Sequence, residues 1–304
     1  MKSQLLTLLG LLLFTAASAQ KPDSALAMVH YKYTWLRDTT AKDKPYTENM
    51  VLVLGKNASV YKSYDRKMQM AQMRQQIKEQ MSAGGNIQVS SRSESSNKEF
   101  FIFPNENKLL RKDRIITTYL VEEPFPVINW KISSDTMTVG NLSCQKATGH
   151  FAGRDYTAWF CADLPYRSGP WKLTGLPGLI VEAYDTKKEV VFKFDGIEKV
   201  TPVAKTANDM PPATGGMRIV TIGMDEGSED PNLIALPTSA VKVTEKELAN
   251  LKEAMRKDPS AFVQSAMAGS GMNTRPGSGV NMKVNIQPGA QPTVNNPVEL
   301  PEKK

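Results

Sequence analysis

The chain has 304 residues, of which 40% are hydrophobic, and its 38 Lys and Arg outnumber its 31 Asp and Glu. The formal charge of +7 is spread over the whole length, so the composition shows no footprint for nucleic-acid binding. A chain of this size can bury one good core, and the final third is poorer in core residues, so we expect one domain followed by a tail.

The first 19 residues have the pattern of a secretory signal peptide. Lys2 supplies the positive end, Leu5 to Phe14 form an apolar run too short to span a bilayer, and Ala17 to Ala19 form a cleavage site. No later apolar run is long enough to span a membrane. We therefore expect a periplasmic or secreted protein, cleaved near Ala19 and without a transmembrane segment.

Alternating apolar residues and short connections dominate the chain up to about residue 200. Short connections favour antiparallel neighbours, since parallel crossovers need a dozen or more residues. The predicted fold class is therefore mainly β: an antiparallel meander forming a curved sheet or half-barrel, with a few accessory helices. The predicted strands are residues 27–36, 49–54, 59–64, 98–103, 107–112, 114–122, 126–132, 136–140, 179–184 and 189–197.

Residues 65–81 break the β pattern and predict a helix with an apolar stripe. Methionines on this stripe fill an irregular apolar contact or line an adaptable binding surface, for which the candidates are Met70, Met73 and Met81. Thioethers also bind Cu(I), which leaves a weaker copper alternative through Met68, Met70 and Met73. No metal and no other cofactor is expected from the remaining pattern.

A hairpin is predicted around Ala152 and Gly153. If these two residues form the whole loop, cross-strand partners sum to 305, so that Arg154 faces Phe151 and the two cysteines, Cys144 and Cys161, face each other. Cysteines so placed are close enough for a disulfide, which an oxidising periplasm permits. A three-residue loop would shift the register by one and separate the thiols.

The densest run of turn-forming and large apolar residues follows this hairpin. Pro177 and Gly178 predict a type II turn over residues 176–179, in which Gly178 adopts a positive φ. We expect the apolar residues of the run to pack into the core against the hairpin that carries Tyr156 and Trp159. These expected core residues are Trp171, Leu176, Pro177, Leu179 and Ile180.

The hairpin and this run together resemble the GLPGLI family of secreted proteins from Bacteroidetes-type bacteria. The resemblance covers roughly residues 25–200, and the ending NNPVELPEKK also resembles family C-termini. It implies an exported protein associated with TonB-dependent outer-membrane receptor systems, with no catalytic residues to transfer. Cys161 departs from the family pattern, so a disulfide is not implied. The residues that carry the resemblance are Cys144, Lys146, Ala147, Gly153, Arg154, Tyr156, Ala158, Trp159 and the signature Gly169, Pro170, Trp171, Gly175, Leu176, Pro177, Gly178, Leu179 and Ile180.

The sequence loosens after about residue 200. We expect a single GLPGLI-type domain over residues 20–268, with a late strand at 217–224, and a flexible tail over 269–304. Thr244 and Glu247 form a capping box that opens a helix to about Lys257, and a second short helix is expected from Pro259 through Met267.

The sequence contains no recognised catalytic motif, so we predict no catalytic residues. The favoured function is an exported non-catalytic binding or accessory protein of the cell envelope, with an outer-membrane receptor or another envelope protein as partner. Its candidate binding surface combines Arg154, Tyr156 and Trp159 with the helix methionines. The alternatives are a thiol-redox protein or enzyme using Cys144 and Cys161, and a methionine-based copper carrier. The oligomeric state stays open.

Overall fold

The computed structural model describes residues 21–82, 95–201, 230, 232–262, 265 and 292–302. Its elements are mostly antiparallel strands, with two longer α-helices and a 3-10 helix at Pro104–Glu106, joined mostly by tight turns. In chain order they are β1 (Asp23–Ser24), β2 (Ala27–Trp35), β3 (Tyr46–Leu54), β4 (Ser59–Ser63), α1 (Tyr64–Ser82), β5 (Glu99–Phe103), β6 (Lys108–Arg114), β7 (Thr118–Glu123), β8 (Lys131–Val139), β9 (Leu142–Phe151), β10 (Arg154–Cys161), β11 (Leu179–Asp185), β12 (Val190–Lys199), β13 (Leu233–Ile234), β14 (Val241–Lys242) and α2 (Glu245–Lys257).

Twelve of these strands form one sheet in the order β14-β7-β6-β5-β4-β3-β2-β12-β11-β10-β9-β8. All neighbours are antiparallel except β14 and β7, which are parallel. The sheet is thus two meanders, β2 to β7 and β8 to β12, joined where β2 pairs with β12. It is not closed into a barrel, and the predicted mainly β fold class is confirmed.

The two faces of the sheet carry separate cores because successive side chains point to opposite sides of a strand. On β3, Leu52 and Leu54 face the larger core, here called the inner core, whereas Val51 and Val53 face a smaller one. The inner core takes residues from both meanders and from the loop between β10 and β11.

That loop, residues 162–178, is here called the inner loop. Trp171 stacks on Phe192 of β12 with centroids 6.4 Å apart, and the Ser168 hydroxyl donates to Ser59 Oγ of β4 at 3.0 Å. Lys172 forms an ion pair with Glu123 of β7 at 2.5 Å. Because one loop contacts strands this far apart in the sheet order, the sheet curves around it. A loop therefore fills the concave side of the sheet.

The strand predicted over residues 126–132 is wrong for its first five positions, since β8 begins at Lys131. The segment before it packs on the inner core through Phe125, Ile128 and Trp130 without joining the sheet. Trp130 Nε1 donates to the Thr174 carbonyl at 2.8 Å, and a Cβ at Gly149 would come within 2.8 Å of its ring. The apolar residues there serve packing on a glycine and not strand pairing.

The strand predicted to begin at residue 114 also differs, because β7 begins at Thr118 and Arg114 ends β6. The helix predicted from Thr244 is confirmed, and both hydrogen bonds of its capping box are present. Beyond it, residues 259–262 and Ser265 are helical, in agreement with the expected second helix. The other four residues of that helix and the strand expected at 217–224 lie outside the described residues.

The chain ends differ from the expectation in one respect. Residues 1–20 and 269–291 lie outside the described residues, so the expected signal peptide and most of the expected flexible tail are not described. Residues 292–302, here called the C-terminal segment, lie against the domain through hydrogen bonds to β2, β10 and the hairpin tip. Residues 292–302 are therefore bound to the domain, although the sequence predicted a flexible tail over 269–304.

Candidate binding groove at one end of the sheet

The tip of the β9–β10 hairpin forms one wall of the candidate site. Phe151 pairs with Arg154 and Gln145 with Phe160, so the predicted register is confirmed. Ala152 and Gly153 both have positive φ, 50° and 72°, which a two-residue turn of type I′ requires. The C-terminal segment covers this turn: Leu300 N donates to the Ala152 carbonyl at 2.9 Å, and a Cβ at Gly153 would lie 2.5 Å from the Leu300 carbonyl oxygen.

Arg154 opens β10 at the base of this turn and is only 4% exposed. Its Nη1 donates to Asp185 at 2.8 Å and to Glu189 at 3.3 Å, so the buried charge has two carboxylate partners. Its Nε donates to the Val298 carbonyl at 2.9 Å, and its Nη2 to the Pro297 carbonyl at 2.7 Å. The guanidinium thus joins the sheet to the backbone of the C-terminal segment.

Asn296 is the buried anchor of the C-terminal segment, at 6% exposure. Its side-chain oxygen accepts from Arg154 Nη2 at 2.6 Å, while its side-chain nitrogen donates to the Leu36 carbonyl at 2.8 Å and to Glu189 at 3.0 Å. Its carbonyl accepts from Trp35 Nε1 at 2.8 Å. Every polar group of this residue has a partner, since its backbone N–H also donates, to the Arg37 carbonyl at 3.1 Å.

Two acidic side chains of the segment meet basic ones on the domain. Glu299 pairs with Lys172 of the inner loop at 2.5 Å, and Glu302 pairs with His150 Nε2 at 2.7 Å. His150 Nδ1 also lies 2.6 Å from Asp155, and this carboxylate, followed by Glu302, raises the pKa of His150. The bonds from His150 and Gly153 N lower the pKa of Glu302.

We call the depression that holds the C-terminal segment the end groove. Its wall comes from the end of β2, the tip of the β9–β10 hairpin, the turn before β12 and the inner loop, which meet at one end of the sheet. Its lining residues are Trp35, Arg37, His150, Arg154, Lys172 and Glu189.

The candidate binding surface predicted from the sequence is not one surface. Arg154 and Tyr156 are buried, so they offer no surface to a partner, whereas Trp159 is half-buried and packs against the inner core. On α1, Met70 and Met73 are partly buried and Met68 is 43% exposed, while the side chain of Met81 lies outside the described residues.

Spacing on the helix separates the three methionines of the copper alternative. Met68 and Met70 are two positions apart, which places them on nearly opposite sides of a helix. The structure therefore does not bring Met68, Met70 and Met73 to one side. Within the described ranges, no group of three or more His, Cys, Asp or Glu is placed to hold a metal ion.

The signature run packs largely as predicted. Trp171, Leu176, Leu179 and Ile180 are buried, with exposures from 0 to 6%, but Pro177 is exposed, so the prediction was wrong for this proline. Pro177 lies at the outer side of the turn that carries its buried neighbours inward.

The role predicted for Gly178 was also wrong. Its φ is not positive, whereas that of Gly175 is +98°. A Cβ at Gly178 would lie 2.2 Å from the Cys161 carbonyl oxygen, so this glycine permits a close approach of two backbones. A second close approach lies at Gly169, where a Cβ would come within 2.5 Å of the Leu173 carbonyl oxygen.

Both cysteines are buried in the inner core, and no disulfide joins them in this structure. The confirmed pairing of Phe160 with Gln145, continued by one residue, places Cys161 beside Cys144. Burial, and secondly the neighbouring Cys161, raise the pKa of Cys144 to about 11. A thiol of this kind is a poor nucleophile at neutral pH because the reactive species is the thiolate.

Among the residues that hold the C-terminal segment, Arg154 was predicted from the sequence as a binding residue, and the others were not. Asn296, Glu299 and Glu302 stand in the stretch expected to be flexible, although its likeness to family C-termini was a usable signal. Trp35 and Glu189 sit at strand ends, where periodicity gives no indication of a partner more than 100 residues away.

Comparisons with known proteins give limited information. A family model described as a protein of unknown function (Porph_ging) matches residues 151–182, which span the hairpin tip, β10, the inner loop and the start of β11. That family is of the GLPGLI type and typical of Bacteroidetes. No curated protein matches the chain.

Two solved structures are similar to this chain, titled "Structure of PNGF-II in P21 space group" and "Structure of PNGF-II in C2 space group". Each is 11% identical, with a TM-score of 0.41, and the match covers 60% of this chain and 29% of the other. The chain thus spans less than a third of the length of these structures. A likeness at this level carries no conclusion about function.

Proposed function

We propose that this protein is an exported, non-catalytic binding or accessory protein of the cell envelope. The observation that carries the proposal is the end groove, where a nearly fully buried arginine holds a chain segment by its backbone carbonyls. Binding a partner chain through its backbone groups is a common means of protein recognition.

Contacts within the domain fix the donors that line the groove. Asp185 accepts both from Arg154 and from the backbone N–H of Val190, and therefore fixes the guanidinium against the sheet. Trp35, at the end of β2, directs its indole N–H toward the groove. Fixed donors reduce the entropy that a bound chain has to overcome, which favours binding.

The chemistry of the cysteine and histidine side chains favours a binding role over a catalytic or redox role. A thiol-redox role needs an accessible thiol of low pKa, and the burial that raises the pKa of Cys144 to about 11 opposes it. His150 is engaged by two carboxylates at the hairpin tip. We therefore retain neither the redox nor the copper alternative as a second candidate.

The envelope location rests on the signal-like first 19 residues and on the resemblance of the signature to GLPGLI proteins. Within the part of the chain that the structure describes, no helix is both long and apolar enough to cross a membrane. The partner we propose is an outer-membrane receptor of a TonB-dependent system or another envelope protein.

Cross-linking in intact cells, followed by immunoprecipitation of the full-length protein, tests this proposal. We expect one defined envelope protein to co-purify with the wild type and to be depleted with Arg154→Lys, which keeps the charge but loses the planar fork. Arg256→Lys, on the exposed side of α2, is the matched control and should recover the partner fully. Recovery of no envelope protein, or equal recovery with both variants, would contradict the proposal.

A further inference from the structure

We infer that the end groove is a recognition site for an acidic, Asn-Pro-containing segment of a partner protein, and that residues 292–302 are a resident copy of that ligand. A partner segment then enters only when the resident segment leaves. This inference rests on the proposed function and names the class of partner that the groove takes.

Backbone recognition is the first step of the argument. The carbonyls of Asn296, Pro297 and Val298 each accept a hydrogen bond from a domain side chain, Trp35 or Arg154. The backbone N–H groups of Asn295, Asn296 and Leu300 donate to domain carbonyls. Contacts of this kind are available to any chain that adopts the same backbone path, with its bends at residues 295–296 and 298–299, whatever molecule it belongs to.

One side chain then sets the sequence preference. The amide of Asn296 makes hydrogen bonds with Arg154, Glu189 and the Leu36 carbonyl, within 3.0 Å in each case. Alanine in its place would remove one hydrogen-bond partner from each of these groups, which is where a polar site discriminates most strongly. A proline is accepted at the next position because Pro297 offers the groove only its carbonyl.

Charge complementarity sets the remaining preferences. Lys172 meets an acid three positions after the asparagine, and His150 together with the Gly153 N–H meets a second acid six positions after it. Between these positions, Val298 packs against the inner core. The preferred ligand is therefore a segment with Asn, Pro, an apolar residue and two spaced acids.

The resident segment has the contacts of a ligand rather than of a strand. None of its residues belongs to the sheet, and apart from Asn296, Val298 and Leu300 its residues are exposed. Its removal would leave every strand pairing intact. The segment is held by one buried asparagine, by backbone hydrogen bonds and by two carboxylates that are each more than half exposed, so it is suited to exchange.

A fluorescent peptide of sequence PTVNNPVELPE, added to the full-length protein, tests the inference. The resident segment competes with the peptide, so wild type should bind weakly. Asn296→Ala, which loosens the resident segment alone, should bind the peptide at least about tenfold more tightly, because apparent affinity scales with the fraction of open grooves. Val294→Ala lies in the same segment at an exposed position and should bind like wild type.

A peptide with Ala in place of the second Asn should bind none of these proteins measurably. Equal binding of the intact peptide by wild type and a natively folded Asn296→Ala would overturn the inference, because the segment would then be a fixed part of the fold. If Asn296→Ala does not fold, the double variant Glu299→Gln and Glu302→Gln replaces it. It should bind the peptide about threefold more tightly than wild type, and equal binding would overturn the inference likewise.

The two proposals fail separately. Loss of peptide binding, with an envelope partner still recovered through Arg154, overturns the peptide preference and leaves the proposed function intact. Specific peptide binding, with no envelope protein recovered from cells, overturns the proposed function and leaves the groove as a peptide site.

Discussion

Two glycines of the signature have different physical roles, although both stand beside turns. Gly175 has a φ of +98°, which side chains disfavour, whereas Gly178 lies where two backbones nearly touch. The sequence pattern Pro-Gly is compatible with both roles, since both require a residue without Cβ. Sequence alone therefore indicated that Gly178 is needed but gave the wrong reason.

We predict that Gly178→Ala is destabilising by about 1–3 kcal/mol, the usual cost of overpacking a rigid site. The added Cβ would lie 2.2 Å from the Cys161 carbonyl oxygen, so one backbone has to move. Thermal unfolding monitored by circular dichroism measures the effect. Val127→Ala, at a residue 79% exposed, is the control and should stay within about 0.5 kcal/mol of wild type. An unchanged melting temperature for Gly178→Ala would contradict the packing of this loop.

A matched pair of tyrosines allows a second test at this scale. The Tyr31 hydroxyl donates to the Ile180 carbonyl at 2.6 Å, whereas the buried Tyr61 hydroxyl has no hydrogen-bond partner in the part of the chain that the structure describes. Tyr31→Phe should cost about 1–3 kcal/mol because a buried carbonyl loses its partner. Tyr61→Phe should be neutral or stabilising, since it removes an unsatisfied polar group. Urea unfolding of both variants gives the signs, and equal losses would contradict the assignment.

At the scale of elements, the hairpin β9–β10 was the best predicted feature. Its two-residue turn fixes the register, and turn chemistry is local enough to be read from the sequence. The failed strand at 126–130 shows the opposite case. Apolar and polar residues do alternate there, but the Trp130 ring packs on Gly149 instead of joining a strand. No local pattern in the sequence indicates which glycine an aromatic ring will cover.

We predict that Cys144 and Cys161 form a disulfide in the exported protein. The hairpin register places them side by side, and the loop they would close is short, so the chain-entropy model gives about 3 kcal/mol of stabilisation. Mass spectrometry of unreduced digests should recover one cross-linked peptide. Melting with and without reductant should differ for wild type but not for Cys144→Ser. Two alkylatable thiols in protein purified from the envelope would contradict the prediction.

The C-terminal segment should hold less firmly as the pH rises. Asp155 and Glu302 raise the pKa of His150 above its ordinary value of 6.5, so folding and docking favour the charged imidazole. The contribution is therefore complete below pH 6.5 and is lost as the pH rises through the raised folded pKa. At the acid end, the lowered pKa of Glu302 keeps its carboxylate charged below pH 4.5, its ordinary value.

Amide hydrogen exchange of residues 298–302, corrected for the intrinsic effect of pH, measures this dependence. Protection of these amides from exchange should be greater at pH 6 than at pH 9. These two pH values lie below and above the range in which a histidine paired with carboxylates titrates. His150→Gln should abolish the difference, while protection of the β2–β3 amides should change in neither protein. A pH-independent wild type would contradict a role for His150 in docking.

At the scale of the whole molecule, the class of fold was predictable and the strand order was not. Period-two patterning and short connections identify the strands and make neighbours antiparallel, which accounts for both meanders. The pairing of β2 with β12 brings together distant parts of the chain, for which local patterns carry no information. The same holds for the contact of Asn296 with Arg154, on which the candidate site depends.

The junction between β2 and β12 has a consequence for how the protein reaches its native state. Within each meander, strands that are neighbours in sequence pair with one another, so each can form at little cost in loop closure. Joining the two requires closing a loop that contains almost the whole domain, and non-local pairing of this kind slows folding. We expect refolding to pass through a state in which the two half-sheets are formed but not joined, leaving the faces around Tyr31 and Phe192 open to solvent. A dye that binds apolar surface should detect that state after β structure has appeared and before the domain closes.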